Sequence, residues 1–206
     1  MKYRTCLLDP ISEIFDAARL LDAAVSAHFL GDGKTAATLI QLADMPAIRK
    51  WSDSLWGAGG PWSKPPLQVN VTIRHVPKAE RFPIRAPNTQ EKKTLIDRDG
   101  FHCRFCGIPL IRIEMRKALR SAYPGALNWG SRNIEQHSAF QAMHLQFDHV
   151  LPHSRGGDNS LENLIVTCAP CNNGRSNLTL DEVGLEDPRA RPKVQSLWDG
   201  LERFSS

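Results

Sequence analysis

The sequence predicts an α+β fold, and three observations support this class. Apolar residues recur every three to four positions in the N-terminal part, as in amphipathic helices. Two short runs near positions 148 and 165 are typical of β-strands joined by a Gly-Gly turn. Four of the five cysteines form two CxxC pairs. With 206 residues, 41% of them hydrophobic and 23% charged, the chain can fold as one ordinary domain with a smaller satellite.

Residues 1–73 are predicted to form a helical N-terminal region. Apolar residues at 10–29 follow the spacing of one amphipathic helix, which a Gly-Asp-Gly run ends. A second helical stretch at 35–56 is divided by Pro46, because proline lacks the amide hydrogen that a helix interior needs.

A junction rich in glycine and proline follows at 57–66, and residues 67–73 are a candidate strand. Residues 74–97 are predicted to be a basic linker and a lead-in helix. Asn88 or Thr89 can cap that helix, because both side chains accept hydrogen bonds from first-turn amides.

The functional domain is predicted at 98–178, interrupted by a helical insert at 108–146. Within the insert, helical patterns at 111–123 and 133–145 flank two breaks that contain glycine. We therefore expect an inserted helical hairpin.

The remaining segment, 179–206, is predicted to be a C-terminal tail and helix. A helix that begins at Pro192 would gather five apolar side chains on one face, and we expect that face to pack on the body. These side chains are Val194, Leu197, Trp198, Leu201 and Phe204.

The net charge of +4 is unevenly distributed along the chain. Residues 1–73 hold 7 Lys/Arg against 7 Asp/Glu, residues 74–178 hold 15 against 9, and residues 179–206 hold 4 against 6. A positive excess on the segment that also carries the paired cysteines favours a polyanionic partner, with nucleic acid the first candidate. A solvated surface of mixed sign is the alternative from charge alone.

The two CxxC pairs are Cys103 with Cys106 and Cys168 with Cys171, and 61 residues separate them. Four thiolates with this spacing are typical of a structural zinc site, in which tetrahedral Zn²⁺ has no open position for a substrate. Zinc would therefore stabilise the fold and leave catalysis to other residues. Cys6 is left over and is expected to pack as a small apolar residue.

Asp148 and His149 are adjacent at the first of the two predicted strands. In a regular strand they would point to opposite faces, so joint action requires a bulge or a strand end there. Pro152 argues against a helix across His149 and His153, which disfavours an i, i+4 metal pair. The second strand is expected at 164–166, paired with the first as a hairpin.

The whole pattern resembles the HNH endonuclease superfamily, and in particular the members that carry two CxxC pairs. The shared motif is CxxC…DHxxPxSxGGxxxxxNLxxxCxxCN, and it covers about residues 98–177 apart from the insert. Its last position is Asn172, where the family name has a second histidine. The resemblance implies a ββα-metal nuclease core at 98–178, and the 108–146 insert departs from the family pattern.

The resemblance also implies hydrolysis of a phosphodiester, and the residue types suit that reaction. Neutral His149 can take a proton from an attacking water, while Asp148 and Asn172 offer hard oxygen ligands for Mg²⁺ or Mn²⁺. Asn163 would hold the loop that orients His149, and Arg175 would contact the phosphate. Similar enzymes leave a 5′-phosphate and a 3′-hydroxyl.

We therefore expect a metal-dependent endonuclease that nicks DNA or cuts both strands, in restriction, phage defence or a mobile element. Two alternatives stay open: a non-catalytic zinc module that binds nucleic acid or protein, and a nuclease subunit that a partner activates. The N-terminal helices are a candidate surface for a homodimer or for that partner. The first apolar run ends at Leu8, and no later one approaches about 18 residues. We therefore expect a soluble, cytoplasmic protein with no membrane partner.

Overall fold

Three helices make up most of the N-terminal region that the structure describes. The computed structural model describes residues 3–56, 75–83 and 86–205. Helix α1 spans Ser12–Phe29, α2 spans Gly33–Leu42 and α3 spans Pro46–Trp56. The predicted division at Pro46 is confirmed, because this proline opens α3, where the first-turn amides have no partner within the helix. The predicted junction at 57–66 and the candidate strand at 67–73 lie outside the described residues.

The lead-in helix, α4, spans Thr89–Asp99, and Asn88 is its cap. The Asn88 side chain accepts a hydrogen bond from the Glu91 amide at 3.0 Å, and the Glu91 carboxylate accepts one from the Asn88 amide at 2.7 Å. This reciprocal capping box satisfies two amides that the helix leaves unpaired. Gly100, with φ +74°, ends α4 and turns the chain towards the first cysteine pair.

Of the two helices predicted in the insert, the first is present and the second is broken. Helix α5 spans Ile113–Ala122. The pattern at 133–145 instead gives a 3₁₀ turn at Asn133–Glu135 and a short helix, α6, at Ser138–Ala142. Contacts with the turn between α2 and α3 fix this break, because the Ser138 amide donates to Asp44 Oδ1 at 2.8 Å.

Two antiparallel strands and a helix form the centre of the molecule. Strand β1 spans Leu145–His149, β2 spans Leu164–Cys168 and α7 spans Ala169–Arg175. Leu145 pairs with Cys168 at one end of the hairpin, and His149 pairs with Leu164 at the other. This arrangement confirms the α+β class and the ββα core. Helix α8, at Leu180–Val183, follows α7.

The predicted helix that begins at Pro192 is wrong. The described residues 191–201 contain no α-helix, and a 3₁₀ turn at Glu202–Ser205 ends the described chain. Gly200 and Leu201 both have positive φ, of +72° and +65°, which a right-handed helix excludes. Leu201 is buried without a helix, whereas Leu197 is fully exposed. The apolar residues of this segment therefore lie along an irregular tail, where Trp198, Leu201 and Phe204 pack on the core and Val194 and Leu197 are exposed.

The N-terminal helices and the ββα core share buried apolar side chains in one continuous cluster. Helix α3 packs against both α6 and α7, and α4 packs against β2. The N-terminal region therefore supports the helix that carries the candidate site residues. Among the residues that the structure describes, no helix is both long and apolar enough to span a bilayer.

Candidate active site and metal centre

The four paired cysteines meet at one point. Cys103 and Cys106 lie in the turn between α4 and α5, Cys168 ends β2, and Cys171 lies in the first turn of α7. Their sulfur atoms all lie within 4.8 Å of one another, and the Sγ atoms of Cys106 and Cys168 are 3.7 Å apart. A tetrahedral zinc ion with Zn–S bonds of about 2.3 Å requires sulfur separations of about 3.8 Å. The donor set therefore fits a structural zinc ion.

The burial of this cluster makes its thiolates costly unless a cation accompanies them. Burial raises the pKa of the Cys168 thiol well above its ordinary value, and contacts with Cys103 add to the shift. Several thiolates cannot share a buried site unless a positive charge compensates them, and Zn²⁺ supplies that charge. Because Cys171 immediately precedes Asn172, a bound zinc would also fix the start of α7 at the candidate active site.

Two side-chain pairs join β1 to α7. Gln146 and Asp148 are two positions apart on β1 and share a face, while Asn172 and Arg175 are three apart on α7. Arg175 Nη2 donates to Asp148 Oδ2 at 2.6 Å, and Asn172 Nδ2 donates to Gln146 Oε1 at 2.6 Å. The second pair orients the Asn172 amide, so Gln146 positions a candidate ligand. Sequence reasoning missed Gln146, although its place two residues before Asp148 puts both side chains on the same face of the strand.

Arg175 does not occupy the position predicted for a phosphate contact. Its side chain is 1% exposed, and it donates to the carbonyl oxygens of His149 at 2.6 Å and of Leu178 at 2.7 Å, in addition to Asp148. Because α7 packs directly on β1, a side chain one turn after Asn172 enters the interior. Arg175 therefore holds the end of β1 from inside.

Asp148 is a buried carboxyl whose charge depends on this arginine. Burial raises the pKa of the Asp148 carboxyl, because low polarity disfavours the charged form. The Arg175 guanidinium opposes that shift by its charge and its hydrogen bond. Asp148 is nevertheless in contact with the cavity described below, where an oxygen ligand can meet a cation.

His149 is the last residue of β1, so the strand end required for joint action with Asp148 is present. Its Nε2 lies 2.7 Å from Asn159 Oδ1. An amide oxygen only accepts, so Nε2 is the donor in this contact, and in the neutral form of such a ring the lone pair lies on Nδ1. Sequence reasoning missed Asn159, because it lies in an irregular loop with no spacing that relates it to His149.

Asn163 closes the loop between the strands. Its Oδ1 accepts from the Leu151 amide at 2.8 Å, and its Nδ2 donates to the carbonyl oxygens of Asp158 at 2.9 Å and of Leu151 at 3.2 Å. The side chain thus joins the two ends of the loop that holds Asn159.

One cavity of about 620 Å³ brings Asp148, His149 and Asn172 together. Its remaining lining comes from the loop after β1, from the end of α7 and from the segment 75–83. These residues are Pro152, His153, Ser154, Ser176, Asn177, His75, Lys78, Arg81, Phe82 and Pro83. The predicted base and both predicted oxygen ligands therefore reach one solvent-accessible space, whereas Asn163 and Arg175 are not among its lining residues.

A comparison with protein families matches residues 132–178 to the HNH endonuclease family. The matched range contains β1, β2 and α7, together with Cys168 and Cys171. No curated protein and no solved structure matches the chain.

Proposed function

We propose that this chain, which carries an HNH endonuclease domain at residues 132–178, is a metal-dependent endonuclease that hydrolyses the phosphodiester bonds of DNA. The family indicates nuclease activity and a nucleic acid substrate in general. The observation that carries the finer proposal is the single cavity shared by Asp148, His149 and Asn172. A base and two oxygen ligands at one site are what metal-assisted hydrolysis requires.

Asp148 and Asn172 are the residues that would hold the catalytic Mg²⁺ or Mn²⁺. Both present oxygen atoms, which these cations prefer. The Asn172 amide nitrogen is engaged by Gln146, so its oxygen remains for a cation, and the Arg175 guanidinium favours the charged form of Asp148. When bound, the metal ion acts as a Lewis acid that stabilises charge on the phosphate and on the departing oxygen.

His149 is the proposed general base. With Nε2–H held by Asn159, the lone pair on Nδ1 accepts a proton from the attacking water. The water oxygen forms a bond to phosphorus while the bond from phosphorus to the 3′-oxygen breaks. The 3′-oxygen keeps the electron pair of the broken bond and takes a proton from solvent, so the products are a 5′-phosphate and a 3′-hydroxyl. Asn163 and Asn159 contribute indirectly, because they maintain the loop and the ring orientation.

Cleavage of supercoiled plasmid with Mg²⁺ or Mn²⁺ tests this proposal. His149→Ala should lower the rate by about 10²–10⁴-fold, the usual contribution of a general base. Asn172→Ala should also abolish most activity, whereas Asn173→Ala is the matched control on the same helix. The Asn173 side chain donates to the Ala169 carbonyl and does not line the cavity.

Failure of the wild-type protein to cleave DNA with any divalent metal would contradict the proposal, as would undiminished cleavage by His149→Ala. Parallel reactions on single-stranded RNA test the choice of DNA. Preferential hydrolysis of RNA would keep the chemistry and change the substrate.

A further inference from the structure

The cavity has a wall that comes from far away in the sequence. Residues 75–83, here called the strap, precede the ββα core by more than 60 residues and nevertheless line the space above Asp148 and His149. The Val76 amide donates to the Ser154 carbonyl oxygen at 2.9 Å, and His153 Nε2 lies 2.9 Å from the Phe82 carbonyl oxygen. Contacts near both ends of the strap therefore attach it to the loop after β1.

The strap is also organised internally. Lys78–Glu80 forms a 3₁₀ turn, and Arg81 Nε donates to the Val76 carbonyl oxygen at 2.8 Å across it. This bond uses one edge of the guanidinium. The two terminal Nη groups find no acceptor among the described residues. They form the edge of arginine that suits bidentate binding of a phosphate.

The charges that line the cavity are unbalanced. Asp148 is the carboxylate among the described lining residues, and it is already paired with Arg175. Lys78 and Arg81 are the lining side chains with a permanent positive charge. Since Arg175 is buried, the contact with a polyanionic substrate must come from other cations, and these two lie on the same cavity as the candidate base.

We propose that the strap is a phosphate-binding element of the active site, in which Lys78 and Arg81 bind backbone phosphates that flank the bond to be cut. The ligand is thus a nucleic acid strand. This choice of ligand rests on the proposed function. Backbone phosphates are present at every nucleotide, so this contact gives affinity and register without sequence preference. The strap makes the basic linker a part of the site.

Equilibrium binding of a fluorescent 30-base-pair duplex, measured in the His149→Ala background with Ca²⁺ in place of Mg²⁺, tests the strap without turnover. The variants are Lys78→Ala with Arg81→Ala, the charge-conserving pair Lys78→Arg with Arg81→Lys, and Lys34→Ala as control. Lys34 is an exposed lysine on α2 that does not line the cavity.

Each lost phosphate contact lowers the slope of log affinity against log salt by about 0.9 on duplex and about 0.7 on a single strand. For two contacts on this duplex, the Kd of the parent should rise between 50 and 200 mM salt by about 12-fold more than that of the double alanine variant. The charge-conserving pair and Lys34→Ala should keep the parental slope. Lys78→Ala alone, which leaves the strap's hydrogen bonds in place, should show about half the effect on the slope.

An unchanged salt slope in a double alanine variant that melts at the parental temperature would overturn the strap proposal. So would faster cleavage after the same two substitutions in the wild-type chain, because that result would identify the strap as a cover over the site. Because binding is measured without cleavage, the strap proposal and the endonuclease proposal can be refuted independently. An inactive wild type with the predicted slopes refutes only the endonuclease, and an active one with unchanged slopes refutes only the strap.

Discussion

Replacing Arg175 by methionine separates the two roles that this residue could have. The sequence pattern predicts a phosphate contact, whereas the structure shows a buried ion pair with Asp148 at 2.6 Å and a side chain that is 1% exposed. Methionine fills much of the same volume but cannot donate a hydrogen bond. The substitution leaves the Asp148 carboxylate in the interior without its partner.

Removing one member of a buried ion pair costs about 3–5 kcal/mol, because the remaining charge is desolvated and unpaired. For a chain of this size, each kcal/mol corresponds to about 2–4 °C in melting temperature, so Arg175→Met should lower Tm by about 6–20 °C. Adding Asp148→Asn removes the stranded charge, and the double variant should recover about 0.5–3 kcal/mol as a coupling energy.

Arg189 offers a matched control at the surface. Its guanidinium also lies 2.6 Å from a carboxylate, that of Asp187, but the two side chains are 45% and 38% exposed. An exposed pair of this kind contributes about 0–1 kcal/mol, so Arg189→Met should shift Tm by less than about 4 °C.

Thermal unfolding followed by circular dichroism, without DNA, measures both variants. The reasoning is refuted if Arg175→Met melts within about 2 °C of the wild type and loses affinity for duplex DNA. That combination would assign Arg175 to the phosphate, as the sequence pattern predicts. A large loss of stability in the absence of any nucleic acid assigns it to the interior.

Two further predictions concern the metal centre and the loop. Purified protein should contain one zinc per chain. Its thiols should not react at pH 8, because four of them would be metal ligands and burial raises the pKa of Cys6 to about 12. Four fast-reacting thiols in the absence of a chelator would contradict the zinc site. Gly157→Ala should destabilise the protein by about 1–3 kcal/mol or more and reduce cleavage, because its Cβ would lie 1.8 Å from the Leu151 carbonyl oxygen. Gly125→Ala, with nothing within 4 Å of the new Cβ, should change neither Tm nor cleavage rate, and equal effects at the two glycines would refute this account of the loop.

Features encoded by local patterns could be predicted from the sequence. Helical spacing, Pro46 and the Asn88 cap located the helices α1 to α4, because each of these signals acts within a few residues of its position. The four cysteines were identified as one cluster because metal coordination imposes a fixed ligand set on the sequence. Strand β2 followed from its run of apolar, partly β-branched residues after the Gly-Gly turn, whereas β1 contains no β-branched residue.

Features set by packing between distant segments could not be predicted. Whether Arg175 faces solvent or the interior depends on how closely α7 packs on β1, and no local pattern reports that distance. The strap is attached to the loop after β1 through the Val76 amide and through the carbonyl oxygens of Ser154 and Phe82, and such backbone groups are the same for every sequence. At the C-terminus, Leu201 is buried with φ +65°, so apolar spacing there did not imply a helix. A homodimer or partner contact through the N-terminal helices stays a prediction.

Helix α7 connects the metal centre to the proposed chemistry. It has seven residues, far fewer than the about 12–15 that an isolated helix needs in water, and its sequence includes proline, glycine and two asparagines. Its conformation must therefore come from its attachments: Cys171 at the zinc cluster, Asn172 on Gln146 and Arg175 on Asp148. The contact with Gln146 holds Asn172, a proposed ligand of the catalytic metal. The contact with Arg175 holds Asp148, the other proposed ligand, on β1. Loss of zinc should thus reduce nuclease activity before the protein unfolds, because the first turn of α7 carries both a candidate zinc ligand, Cys171, and the proposed ligand of the catalytic metal, Asn172.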